Sequence, residues 1–254
     1  MVALFALAAA ASAAVADEAP RWAAAQQLLL VDSDGWDAPQ GRLQRFERPH
    51  PGAPFAAVGA PLAVWLGRAG MAWRSDADAP TPPAPGPRKR EGDGRSPAGV
   101  LKLGELWGYA AQPPAGITLP YHQASERSRC VDDPESPAYG QLLSAPVGQS
   151  EPWRSAERLL LPTEHYKYLV VIDYNQRRPQ PGAGSCIFLH VAPAPAQPTA
   201  GCTALAEADL LLLLRWLSSK TQDKPLPPLV QLPRPVLAAA SRALGLPPLP
   251  SARQ

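Results

Sequence analysis

The sequence predicts a mostly β fold made of short strands joined by long loops. Three observations lead there. The 254 residues include 33 prolines and 19 glycines, and proline interrupts helix interiors and central strands alike. Hydrophobic residues make up 46% of the chain, enough for a packed core and too many for a disordered chain. Short apolar runs bounded by Gly, Pro, Asp or Ser recur along the chain, as strands do. Only 18% of residues are charged and the formal net charge is +2, which excludes a polybasic nucleic-acid binder or an acidic tail. The length fits one large domain or two small ones.

Residues 2–16, VALFALAAAASAAVA, are apolar or small throughout, and Ala14-Val15-Ala16 precedes Asp17-Glu18. That is the layout of a secretory signal peptide cut after Ala16, giving a signal segment over 1–16 and a periplasmic or secreted protein. No Lys or Arg precedes the apolar run, so a buried helix or a short anchor stays open. The run is short for a bilayer span, which needs about 20 residues. Elsewhere Leu205–Leu217 is the most apolar stretch and carries Glu207, Asp209 and Arg215. No stable membrane span is therefore expected after signal cleavage.

Leu28–Val31, Pro61–Leu66, Gly99–Leu103, Tyr168–Asn175 and Cys186–Val191 read as strands. The run from Tyr168 to Tyr174 has the β-branched and aromatic content of a buried strand. Ala79–Pro87 reads as a proline-rich loop, leading into the basic run Arg88-Lys89-Arg90, expected to be a solvated loop edge. Ala204–Ser218 lacks Gly and Pro and reads as a helix, with Glu207 and Asp209 early and Arg215 late, as the helix dipole favours. Residues 221–254 read as an extended proline-rich tail packed along the domain, with one short helix over Val236–Leu244.

The chemistry-bearing residues converge late in the chain. An apolar strand ends at His190; after a proline-rich loop comes Thr199-Ala200-Gly201-Cys202-Thr203, directly before the expected helix. A thiol at a helix N-terminus is stabilised as thiolate. Gly201 permits close approach of a substrate backbone, and the amides around Cys202 and Thr203 are candidate oxyanion donors. His190 is the candidate general acid/base. The alternative is a small buried cysteine and a structural histidine. The interval between Cys202 and His190 is not a paired metal-ligand spacing, so neither a metal nor another cofactor is expected.

The surrounding segments narrow the choice. Lys89-Arg90-Glu91-Gly92-Asp93-Gly94-Arg95-Ser96-Pro97-Ala98-Gly99, Cys130-Val131-Asp132-Asp133-Pro134, Ser155-Ala156-Glu157, Val170–Asn175, Gly184-Ser185-Cys186-Ile187-Phe188-Leu189-His190 and Thr199-Ala200-Gly201-Cys202-Thr203 occur in order. Together they resemble the L,D-transpeptidase catalytic domain (YkuD-like) family over residues 27–220. The resemblance implies a β-sandwich with a few helices, one of them following the nucleophile loop. It implies Cys202 as nucleophile, His190 as catalytic histidine, Gly201 and Thr199 as the glycine and hydroxyl positions of the nucleophile motif, and Ser96-Pro97-Ala98-Gly99 as a turn shaping the sheet near the site. It also implies peptidoglycan stem peptides as both acyl donor and amine acceptor, with no nucleic-acid partner. Ala200 before Gly201, and Thr203-Ala204 after Cys202, depart from the better-known branch of the family. Transfer, hydrolysis on the same fold (a carboxypeptidase) and non-catalytic cell-wall binding all stay open.

In an oxidising compartment three cysteines suggest one disulfide and one free reactive thiol. A Cys130–Cys186 bridge with Cys202 reduced is expected; two buried thiols are the alternative. Asp132-Asp133 before Pro134 reads as a turn start, or as a contact for substrate amines by analogy. His122 is expected to be structural or on the surface, His50 and His165 incidental. The tryptophans are expected mostly in the core.

Overall fold

The computed structural model describes residues 24–148, 150–219 and 226–244, with side chains to 240. The expected signal segment 1–16 lies outside the described residues, as do the prolines beyond 244. Among the described residues no helix is long and apolar enough to cross a membrane.

The elements in chain order are β1 (Gln27–Ser33), β2 (Gln40–Glu47), β3 (Ala56–Trp65), β4 (Met71–Trp73), β5 (Ser96–Gly108), β6 (Tyr121–Gln123), β7 (Ser128–Val131), β8 (Leu142–Ser144), β9 (Ala156–Arg158), a 3-10 turn (Glu164–Tyr166), β10 (Tyr168–Asp173), β11 (Phe188–Val191), β12 (Thr203–Leu205), α1 (Glu207–Ser218), β13 (Leu229–Pro233) and α2 (Arg234–Leu244). The fold is mostly β, as the sequence predicts. The main sheet runs β10-β11-β12-β3-β2-β1-β13-β5, and β5 pairs back onto β10. The two layers expected of a sandwich are thus opposite walls of one closed sheet. β4 and β6 attach to β5, and β8-β7-β9 forms a separate three-stranded sheet.

Alternation along the central strands explains two interiors. Val170 and Ile172 of β10, with Leu189 and Val191 of β11, join the main core, which also holds Leu28–Val31 of β1, Leu213 and Leu214 of α1, and Leu229, Val230 and Leu232 of β13. Leu169 and Val171 point the other way, with Phe188, into a second cluster that also holds Cys130, Leu159, Tyr166, Cys186 and Cys202. A strand covered on both faces reads as a continuous apolar run, which is what Tyr168–Asp173 shows.

Three expectations differ from the structure. Leu229–Pro233, expected within an extended tail, is a strand inside the main sheet, parallel to β1 and antiparallel to β5. Its flanking prolines do not prevent this: Pro228 precedes the strand and Pro233 ends it, where a missing N–H costs no interior ladder bond. The expected helix over Ala204–Ser218 begins at Glu207, because Thr203–Leu205 pairs with β11 as strand β12. Finally, Lys89 of the basic run is only 3% exposed and binds Asp93 at 2.6 Å, so this residue is not part of a solvated edge.

Candidate active site

Sheet register sets the geometry of the cysteine and the histidine. β11 and β12 are parallel, with Leu189 opposite Thr203 and His190 opposite Ala204. Continuing that register, Cys202 stands opposite Phe188. Side chains alternate, so Phe188, His190 and Cys202 share the face turned to the second cluster. Cys202 and His190 are two positions out of step, about 7 Å along the strand direction at about 3.3 Å per residue.

The loop carrying Cys202 is tightly fixed. The Cys202 carbonyl accepts hydrogen bonds from Ser96 Oγ at 2.8 Å and Thr199 Oγ1 at 2.7 Å. Thr199 Oγ1 in turn accepts from the Gly201 N–H at 3.1 Å. That amide is therefore committed in the resting structure. A Cβ at Gly201 would approach the Arg95 carbonyl oxygen to 3.1 Å, a tight contact, so the packed loop favours the small residue. Thr203 turns inward: its hydroxyl donates to Gln231 Oε1 of β13 at 2.6 Å, and Gln231 Nε2 donates to the Pro97 carbonyl at 3.0 Å. The Ser96-Pro97-Ala98-Gly99 segment, Thr199 and Cys202 are brought together by this network.

Contrary to the expectation from sequence, the terminus of α1 does not act on the thiol, because the helix starts only at Glu207. A strand separates Cys202 from α1, and the dipole effect fades within the first turn. Other groups act instead. Burial pushes the Cys202 thiol well above the ordinary range, and the charge of Glu157 adds to this; the Phe188 N–H aimed at the sulfur and the Lys89 ammonium oppose it. Cys202 is 5% exposed and its sulfur faces the Cys186 carbonyl oxygen at 3.6 Å. Cys186 adopts a left-handed φ of 53°.

His190 is buried and its imidazole is pushed down to about 4, first by burial, with bonds to backbone carbonyls partly offsetting this. Nδ1 lies 2.8 Å from the Val191 carbonyl oxygen. The Tyr166 ring packs edge-on against it at 5.1 Å. A neutral imidazole donating Nδ1–H to Val191 presents Nε2 as its basic nitrogen. Cys202 and His190 are not hydrogen-bonded to each other; they share a face and a cluster wall, offset by one strand repeat.

Cys130 and Cys186 form a disulfide with 5.8 Å between Cα atoms, and Cys202 is free. The bridge ties β7 of the three-stranded sheet to the segment entering β11. Residues not singled out from the sequence complete the surroundings. Tyr166 donates its hydroxyl to Glu157 Oε1 at 3.1 Å. Glu91 accepts from Ser185 Oγ at 2.7 Å and from the Tyr139 hydroxyl. Glu157 and Glu91 fall within segments the resemblance rests on, but nothing local in the sequence marks a lone glutamate as buried.

The remaining residues take modest roles. Asp133 Oδ1 accepts the Glu135 N–H at 3.1 Å, the turn start expected before Pro134, and its carboxylate is held by Arg154. His122 is half exposed, pairs with Glu105 at 3.0 Å and stacks on Trp107. His50 is exposed near the Pro51 carbonyl. His165 lies 3.2 Å from the Thr163 hydroxyl. Trp36 and Trp73 pack edge-to-face. Among the described residues no group of three His, Cys, Asp or Glu is placed to hold a metal ion.

Comparison with known proteins gives two findings. The family model described as the L,D-transpeptidase catalytic domain (YkuD) matches residues 37–231. The crystal structure of the helical cell shape determining protein Pgp2 from Campylobacter jejuni is similar at 14% identity and a TM-score of 0.35, covering 82% of this chain and 48% of that one. The chain thus spans about half the length of that structure's chain. No curated protein matches the sequence.

Proposed function

Because the chain belongs to the L,D-transpeptidase catalytic-domain (YkuD) family, whose members are cysteine acyltransferases of the cell wall, we propose that it is an exported enzyme acting on peptidoglycan stem peptides through a thioester on Cys202. The observation that supports this most is the register of β11 against the loop carrying Cys202, which puts Cys202 and His190 on one face, two positions apart. His190 Nε2 takes the thiol proton. The sulfur then attacks the carbonyl carbon preceding the terminal D-amino acid. The amides of Cys202 and Thr203, joined by Gly201 if it leaves Thr199, stabilise the tetrahedral oxyanion; losing one such donor costs about 10²–10³ in rate. The C–N bond breaks, His190 returns its proton to the departing amine, and the thioester remains. An amine from a second stem resolves the thioester to an amide and frees the thiol; water in its place gives a carboxypeptidase.

Two features of the resting structure bear on this chemistry. The offset between Cys202 and His190 closes by side-chain rotation when substrate binds, as apo catalytic contacts often do. The sulfur is buried in a cluster with Leu159, Tyr166 and Phe188, so substrate reaches it only after side chains of that cluster part.

The test is product analysis with a stem tetrapeptide, with and without an amine acceptor. The wild type releases the terminal D-amino acid and forms a cross-linked product when acceptor is present, and Cys202→Ala does neither. Release without cross-linking assigns hydrolysis. Release by Cys202→Ala rejects Cys202 as the nucleophile, and no release by the wild type favours a binding protein.

A further inference from the structure

The three-stranded sheet and the turn after it hold two unpaired carboxylate oxygens, on Glu157 and Asp132, and the Glu157 charge reaches the Cys202 thiol. In the β7–β9 ladder Cys130 stands opposite Glu157, so both point to the same face. Asp132 follows Cys130 by two residues and continues that face one step beyond the strand. The disulfide to Cys186 fixes which way it looks: toward the segment whose Cys186 carbonyl contacts the Cys202 sulfur at 3.6 Å. Glu157 as a residue is partly covered, yet its carboxyl end is enclosed. Oε1 is bound by Tyr166, while Oε2 is shut off from solvent without a partner, as is Asp132 Oδ1. Buried polar atoms are nearly always satisfied, and each exception needs an explanation, a catalytic role, water or a bound ion among them.

We infer that Glu157 and Asp132 form the recognition site for a substrate ammonium, the free amine borne by a stem peptide, held beside Cys202 during acyl transfer. This rests on the reading of Cys202 as the acylated residue and deepens it. An ammonium carries three N–H donors and a positive charge, which two open carboxylate oxygens satisfy with charge-assisted bonds. The nearby Lys89 is already engaged by Asp93 and the Arg90 carbonyl, and Glu91 by Tyr139 and Ser185. Neither competes for the open oxygens. Tyr166 links the site to the chemistry, because its hydroxyl holds Glu157 while its ring packs on His190.

The electrostatics give the site a pH signature. Burial raises the Glu157 carboxyl to about 7, and the charges of Asp132 and Glu91 add to that, against the Tyr166 hydrogen bond. Tyr166, Asp132, Glu91 and Cys202 are the titratable groups that face it. Ammonium binding therefore strengthens as pH rises through about 7 and Glu157 deprotonates.

Two stem-type peptides test this, identical except that the side-chain amine of the third residue is free in one and acetylated in the other. Binding is measured on Cys202→Ala protein and acylation on the active enzyme. The free-amine peptide is expected to bind at least about tenfold more tightly, a ratio that falls to near one in Glu157→Gln and in Asp132→Asn. Binding of the acetylated peptide stays unchanged. Asp132→Asn serves where melting shows that Glu157→Gln does not fold. If the variants leave donor binding unchanged but shift the acyl-enzyme from cross-linking toward hydrolysis, the ammonium recognised is the acceptor's, and the assignment stands. Equal binding of both peptides, with an unchanged partition, overturns it and leaves only water at these oxygens. Failure of Cys202 to acylate while the binding preference persists counts against the catalytic reading alone.

Discussion

Strand β11 serves two interiors with opposite contents. Leu189 and Val191 face the closed sheet, where leucines from β1, α1 and β13 pack with almost no exposure. Thr203 donates there to Gln231, which donates to the Pro97 carbonyl. Phe188 and His190 face the space under the three-stranded sheet. Around it stand a free thiol, a disulfide, a depressed imidazole, and buried polar atoms without partners on Trp107, Asp132 and Glu157. One side of the strand carries stability, since burial of each large aliphatic side chain is worth about 1.5–3 kcal/mol. The other leaves bonds unmade beside a free thiol, the kind of place where chemistry is usually found.

The sharpest way to break this comparison is to alter one residue on each side. Cys202→Ala is expected to reduce activity to the uncatalysed level while the melting temperature stays within a degree or two. Leu30→Ala, on the closed-sheet side, is expected to cost about 2–5 kcal/mol of stability, with activity lost only as the protein unfolds. A large stability loss in the first variant would place Cys202 among structural residues. Denaturant melts alongside D-amino acid release assays read both.

The disulfide belongs to both descriptions, since it holds the three-stranded sheet over the site. Replacing Cys130 and Cys186 together by Ser opens a loop of sequence separation 56. Chain entropy puts the cost at about 4 kcal/mol. Hydrogen exchange is expected to rise first in β7 to β9 and not in β1 or β13; uniform loosening would deny that the sheets are separate units. Smaller effects follow from the loop network. Ser96→Ala or Thr199→Val removes one of two bonds to the Cys202 carbonyl, costing about 1 kcal/mol of stability. Activity should fall by more than that stability loss explains.

The smallest effects concern pH. His190 is depressed to about 4 from 6.5. Its contribution to stability is complete above pH 6.5 and is lost as pH falls toward 4, because the unfolded chain takes the proton first. Glu157, raised to about 7 from 4.5, acts in the other sense: its contribution is complete below pH 4.5 and is lost as pH rises through about 7. His190→Asn should flatten the acid-side decline and Glu157→Gln the neutral-side one, in melts across pH.

The same contrast explains what can be read in the sequence. Tyr168–Asp173 and α1 are legible because composition and length separate them from loops. The expectation that Cys130 and Cys186 pair matches the structure. β13 is hidden by its prolines, although Leu229, Val230 and Leu232 are as apolar as any strand in the core. β2 is hidden because its buried residues include Gln44 and Arg45, so no apolar run marks it. The helix start differs from expectation since Ala204 and Leu205 suit helix and strand equally, and pairing with β11 decides between them. Glu157 and Asp132 are illegible as a unit, because only the β7–β9 register brings them to one face.

The central claim is that Cys202 is acylated. Intact mass of the protein after brief incubation with stem tetrapeptide or a carbapenem tests it most directly. The account predicts a single adduct, mapped to the peptide containing Cys202, with the Cys130–Cys186 bridge still oxidised. A turnover-competent protein without that adduct, or an adduct that survives Cys202→Ala, would contradict it.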